Sequence, residues 1–209
     1  MYIPAHFHEI NPTEIASIIQ NAPLGCIVAQ TAEGLIANHL PLYAAPDGTL
    51  IGHVALANDM HRLISQSQDV LVIFRGDNAY VSPNFYPTKR EHHRHVPTWN
   101  YQVVHIYGGI TFQHEDHAKR AAVGLLTRTH ERRINGKNAW KMADAPADYM
   151  TKMIAGIVAF KIGVRKTLAK SKLSQNREER DYVGAIAGLK ASGSAAIADL
   201  MEDRSQADQ

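Results

Sequence analysis

The sequence predicts an α+β protein built on a closed antiparallel β-barrel with peripheral helices. Three observations carry this expectation. From Leu24 the helical period gives way to three strand-like segments, LGCIVAQ, LIANHLPLY and TLIGHVA, separated by the turns TAEG and APDG, which reads as consecutive hairpins. Strand-like runs at DVLVIFRG, AYVSPNFY, TWNYQVVHIYGGITFQH and IVAFKIGVR bring the total to about six or seven, mostly without the intervening helices that a doubly wound parallel sheet requires. Helical periodicity falls before, between and after these runs. With 209 residues the chain can bury one sizeable core and a small appended element.

In chain order, Asn11-Pro12-Thr13-Glu14 opens the first helix. Asn11 can cap it, Pro12 suits the first helical position, and Glu14 stands at the capping-box position. Ile15, Ile18 and Ile19 then share one face, and the helix is expected to end near Ala22–Pro23. Strands LGCIVAQ, LIANHLPLY and TLIGHVA follow, and NDMHRLISQS has helix character with Asn58 as its cap. Between DVLVIFRG and AYVSPNFY, Gly76-Asp77-Asn78 predicts a tight hairpin. PTKREHHRH, bounded by Pro87 and Pro97, is read as a solvated loop. In the long strand after it, Gly108-Gly109 predicts a bulge or bend that would curve the sheet. Ala118, Ala121, Ala122, Leu125 and Leu126 lie at helical spacing, and APADYMTKMI forms another helix before the strand IVAFKIGVR. Residues 176–203 read as helical with a break at Ser192-Gly193. The expected organisation is therefore a barrel domain with flanking helices over 1–175 and a C-terminal helical extension over 176–209, its final SQADQ frayed.

Composition narrows the function classes. A net charge of +2 argues against nucleic acid or an anionic membrane as the dominant partner. One cysteine, Cys26, excludes an intrachain disulfide. No basic segment followed by an apolar one opens the chain, and no apolar run approaches the ~20 residues needed to cross a bilayer, so a cytoplasmic protein is expected. His93 and His95 form an H-x-H pair, but Arg90 and Arg94 interleave with the histidines and would repel a dication, so no metal site is predicted. GxSxG, HExxH, GxGxxG and the P-loop signature are all absent. VGAIAGLK-ASGS-AAIADLMED has the outline of a helix-turn-helix, yet its second helix carries Asp199, Glu202 and Asp203 against Arg204 and would be repelled by phosphates. Direct DNA contact is thus weakly supported. What remains is a set of polar residues embedded in predicted strands: Asn38 and His39, His53, Asn58 and His61, Tyr80 and Ser82, Asn100 and His105. Taken singly, each reads as a satisfied or solvent-facing polar residue. Together, beside an aromatic such as Trp99, they would suit a planar heteroaromatic ligand.

The motifs NHLPL (38–42), GHVALAN (52–58), YVSPNFYPTK (80–89), VPTWNY (96–101), ADAPADYM (143–150) and KLSQNR (172–177), with MYIP at the start, resemble the FMN-binding negative transcriptional regulators of the PaiB type. The resemblance runs from Met1 to about Leu189. It implies a split β-barrel like that of pyridoxamine-phosphate oxidases, a homodimer, and FMN in a groove at the subunit interface. Asn38, His39 and Leu40 would then run beneath the flavin. His53, Ala55, Asn58 and His61 would match the turn that receives its phosphate, where the oxidases carry Arg and Lys and this chain has only Arg62. Lys89 or Arg90 could add charge there. Trp99 and Asn100 are expected near the flavin groove or the dimer seam, and Gln175 and Arg177 on the substrate side. The resemblance leaves two alternatives to a repressor: an FMN-dependent oxidoreductase or flavin reductase of the split-barrel type, and a haem-binding split barrel. No catalytic residue is identified.

Overall fold

A computed structural model of the chain describes residues 1–207. Asn11 begins the first helix as expected, its Oδ1 accepting the Thr13 amide at 2.9 Å. The helix, α1, runs Pro12–Asn21 and buries Ile18 and Ile19. Ahead of it lies the short strand β1, His8–Glu9. The predicted hairpins follow as β2 (Leu24–Thr31), β3 (Gly34–Pro41), β4 (Tyr43–Ala44) and β5 (Leu50–Ala55). Next come the one-turn helix α2 (Met60–Leu63), strand β6 (Asp69–Val81), the one-turn helix α3 (Lys89–His92) and strand β7 (Thr98–Gln113). Helices α4 (Asp116–Asn135) and α5 (Ala147–Ala155) precede the last strand, β8 (Ile157–Lys172). The chain closes with α6 (Glu179–Ala191) and α7 (Ala195–Ala207), separated at Gly193, whose φ of 80° is the left-handed conformation that ends a helix. The last two residues of the SQADQ tail, where fraying was expected, lie outside the described residues.

The sheet is antiparallel, with strand order β3-β2-β6-β7-β8-β5-β4 and β1 paired to β8. One expectation is corrected here. Gly76-Asp77-Asn78 makes no hairpin, because β6 runs straight through it. Gly76 meets a spatial demand instead: a Cβ there would lie 3.2 Å from Gln102 Cβ. Gly108-Gly109 lies inside β7, which continues through it. A Cβ on Gly108 would come within 2.3 Å of the Gly163 carbonyl oxygen, so the residue admits a close backbone neighbour.

By compactness the chain divides into two units, neither continuous in sequence. One combines Met1–Asn21, Arg75–Val104 and the residues from Leu168 onward, so 176–207 fall within it. Its core gathers Val81, Tyr86 and Leu173 with Ile186, Leu189, Ile197 and Met201. Helices α6 and α7 therefore turn their apolar faces inward, and the acids of α7 meet Lys190 (Glu202 at 2.7 Å, Asp199 at 3.6 Å). The other unit comprises Ala22–Phe74 and His105–Thr167. Here β3 approaches β5, which is not its pairing neighbour, so the sheet curls on itself. Leu42 fills the interior at that point, and a Cβ on either Gly25 or Gly52 would press within 2.9 Å of it. α4 packs outside, against β4, β5 and α5.

Candidate functional site

In the curled unit, the hairpin strand β3 presents no fully buried residue. Asn38 and Leu40 are half-buried on one face, and His39 is exposed on the other. Asn38 Oδ1 accepts from Asn58 Nδ2 at 2.8 Å, while Asn58 Oδ1 accepts the Met60 amide at 2.9 Å. The N-cap of α2 is Asp59 and not, as expected, Asn58, whose side chain instead holds the amide of the first helical residue from one position further out and ties the turn after β5 to β3. His61 donates Nε2–H to the Leu56 carbonyl at 3.0 Å, fixing its tautomer because a carbonyl can only accept. Arg62, exposed, holds Asp59 at 2.7 Å. Ala55 ends β5 opposite Ile157, and His53 stands opposite Ala159. His53 Nδ1 is buried and unpartnered, and so is Nδ1 of His105 on β7. Burial pushes the pKa of both imidazoles below the ordinary histidine value. An unpaired buried lone pair is tolerated better than an unpaired buried N–H, so Nδ1 is bare and the proton sits on Nε2. Each ring is then a neutral donor.

In the other unit, Asn100 is fully buried. Its Nδ2 donates to Ser174 Oγ at 2.9 Å and reaches Met201 Sδ at 3.4 Å, linking β7 to the segment after β8 and to α7. Its neighbour Trp99 is 53% exposed and meets Tyr80 edge-on at 6.0 Å. The Trp99 carbonyl accepts from Lys172 Nζ, which also donates to Thr98 Oγ1. Burial, then the charges of Lys170 and Arg177, push the Lys172 amine below the usual lysine range. Gln175 serves its own loop, accepting the Leu173 amide at 2.7 Å and donating to the Ser171 carbonyl at 2.6 Å. Lys89 donates to Asn84 Oδ1.

The histidine-rich loop is not uniformly solvated, as the sequence reading had it. His92 and His93 are exposed, but the His95 ring is buried beside Asp181. Thr88 donates to Asp181 Oδ2 and lies 2.7 Å from His95 Nε2. Arg177 reaches His95 Nδ1 at 3.4 Å. Since arginine only donates, His95 accepts at Nδ1 and passes a proton-bearing Nε2 to Thr88, giving the directed chain Arg177→His95→Thr88→Asp181. The Tyr86 ring lies 4.8 Å from both His95 and the Arg177 guanidinium.

The structure thus joins Asn38, Asn58 and Met60 in one unit and Asn100, Ser174, Arg177 and His95 in the other. Lys172 is absent from the residues that the sequence singles out, although KLSQNR contains it. The only available signal for Lys172 was its i, i+2 spacing from Lys170 on a strand, which puts both amines on one face. Among the described residues no group of three or more His, Cys, Asp or Glu is placed to hold a metal ion, and no helix is long and apolar enough to cross a membrane.

Comparison with known proteins identifies the family and the fold. The family described as "Putative FMN-binding domain" matches residues 1–166. The Bacillus subtilis (strain 168) protein named protease synthase and sporulation protein PAI 2 is 36% identical over 98% of this chain and 98% of its own length. Among solved structures, the FAD and heme binding protein from Mycobacterium smegmatis aligns with a TM-score of 0.59 at 13% identity, covering 85% of this chain and 79% of that one. The flavocytochrome Anf3 from Azotobacter vinelandii aligns at 0.57 and 13%, covering 87% and 78%. These neighbours share the fold, an α+β antiparallel sheet of the split-barrel class with peripheral helices. The chain belongs to the PaiB-type FMN-binding family, and FMN is its cofactor.

Proposed function

We propose that the chain acts as a homodimer, that Asn38, His39, Leu40, His53, Ala55, Asn58 and His61 cradle the flavin, and that the holoprotein works as a negative regulator of transcription. The single observation that carries the cradle is the 2.8 Å Asn58–Asn38 hydrogen bond, which holds the strand under the flavin and the turn for its phosphate in one preformed arrangement. The donor set fits the cofactor. The isoalloxazine edge offers carbonyl oxygens and ring nitrogens, and neutral His53 with its proton on Nε2 is a donor for such acceptors. For the phosphate, Arg62 binds Asp59 through one of its five donors and leaves the rest free. Bound FMN supplies one- and two-electron chemistry. The residues bind and orient it and exclude water. Trp99 with Tyr80 offers an exposed aromatic surface to the second copy, and Lys89, Gln175 and Arg177 lie in the same unit as that surface. Asn100 acts from within by holding Ser174.

In this reading DNA is reached through a partner or a conformational change, because Asp199 and Glu202 of α7 are already held by Lys190 and its apolar face is buried. The test is an FMN fluorescence titration of the purified protein, with His53→Ala and Asn58→Ala beside it, read together with sedimentation. A tenfold or greater loss of affinity in each variant supports the cradle. Unchanged affinity in both, or a monomer at micromolar concentration, refutes the corresponding part.

A further inference from the structure

The second half of α4 and the loop after it border an open cavity of about 530 Å³ whose lining includes Arg128, Arg132, Lys137, Lys141, Trp140 and Met142. That volume lies within the range of small-molecule sites. Its charge is one-sided. None of the four cations is in an ion pair among the described residues. The nearby acids are committed elsewhere. Glu131 accepts the Trp140 amide at 3.0 Å and the Asn135 side chain at 2.7 Å, and Asp144 accepts the Lys141 amide at 2.8 Å. Those bonds pin the loop that carries Trp140 back against α4. The chain reverses at Gly136, whose φ of 52° suits a glycine.

We propose that this cavity binds a nucleoside polyphosphate, with the base on Trp140 and the phosphates on the arginines and lysines. Arg128 and Arg132 stand one helical turn apart on α4, the spacing that sets two guanidinium forks side by side. Inorganic phosphate would leave the indole and the thioether without a role, and a carboxylate ligand would carry too little charge for four cations. A planar base with two or more phosphates uses both features. The site is separate from the proposed flavin cradle, which draws on β3, β5 and α2.

The experiment is calorimetric titration of ADP into the FMN-loaded protein, with inorganic pyrophosphate as the second ligand. One ADP per chain is expected. Arg128→Ala and Arg132→Ala each weaken both ligands about tenfold. Trp140→Ala weakens ADP about tenfold and leaves pyrophosphate unchanged. All three side chains are exposed, and matching thermal melts show that the variants fold. Absence of heat at millimolar ADP overturns the proposal. So does ADP binding that survives both arginine substitutions, or pyrophosphate binding as tightly as ADP with no effect of Trp140→Ala. Saturating FMN that abolishes ADP binding would assign the cavity to the flavin and overturn it equally.

Discussion

Replacing Asn100 with alanine is expected to cost about 2–4 kcal/mol of folding stability while changing FMN affinity less than about threefold. The magnitude follows from what the side chain holds. Asn100 is fully buried and exchanges hydrogen bonds with Ser174, itself buried, through Nδ2 at 2.9 Å and Oδ1 at 3.1 Å. Losing the net contribution of that pairing removes roughly 1 kcal/mol, and stranding the Ser174 hydroxyl adds about 1–3 kcal/mol. Against a typical total of about 5–15 kcal/mol the loss is large, and for a chain of this length it lowers Tm by roughly 5–15 °C. Ser174→Ala is expected to cost less. The double variant falls short of the sum of the two by about 1 kcal/mol, because each change strands what the other removes. Urea denaturation followed by circular dichroism measures the stabilities, and flavin fluorescence well below Tm measures affinity. An Asn100→Ala protein with a wild-type urea midpoint and tenfold weaker FMN binding would refute the reasoning, for Asn100 would then contact the cofactor instead of anchoring α7.

Gly108→Ala would place a Cβ 2.3 Å from a backbone oxygen and is expected to destabilise by about 1–3 kcal/mol or more, whereas Gly124→Ala, whose nearest neighbour is Met142 Sδ at 3.7 Å, is tolerated; parallel thermal melts compare them. Burial holds His53 and His105 below the ordinary histidine pKa, so the stability tied to their neutral forms is complete above about pH 6.5 and is lost as pH falls from there through the folded values. Urea midpoints measured across that window should decline, and His53→Gln should flatten the decline. Burial opposes ionisation of Glu9, but its bond to Arg204 at 2.9 Å and the Asn11 amide outweigh burial and hold the carboxyl below the usual range. Its contribution is therefore full above about pH 4.5 and lost in acid. Glu9→Gln is expected to cost about 1–3 kcal/mol at neutral pH, with a shallower acid limb.

What the sequence disclosed was chiefly local. The Asn11 cap and the hairpins of residues 24–55 depend on neighbours a few positions apart, and they stand where the turn residues put them. The misread places answer to distant partners. Gly76-Asp77-Asn78 has the composition of a turn, yet Gly76 is set by Gln102 on another strand. His95 sits in a stretch with every mark of a solvated loop and is buried by Asp181 and Arg177, more than eighty positions away. The candidate site shows the same split. Family motifs pointed to Asn38 and Asn58, but the bond between them spans twenty positions and is visible only in three dimensions.

Because each unit is stitched from separated stretches, synthesis order matters. The unit holding residues 1–21 and 75–104 also needs Leu173, Leu189 and Ile197, which emerge from the ribosome last. Its core therefore cannot close during most of translation, and Val81 and Tyr86 wait uncovered until the final helices arrive. The many long-range contacts point the same way, towards slow folding. A nascent chain halted at residue 175 should be a substrate for chaperones and proteases rather than a smaller working protein.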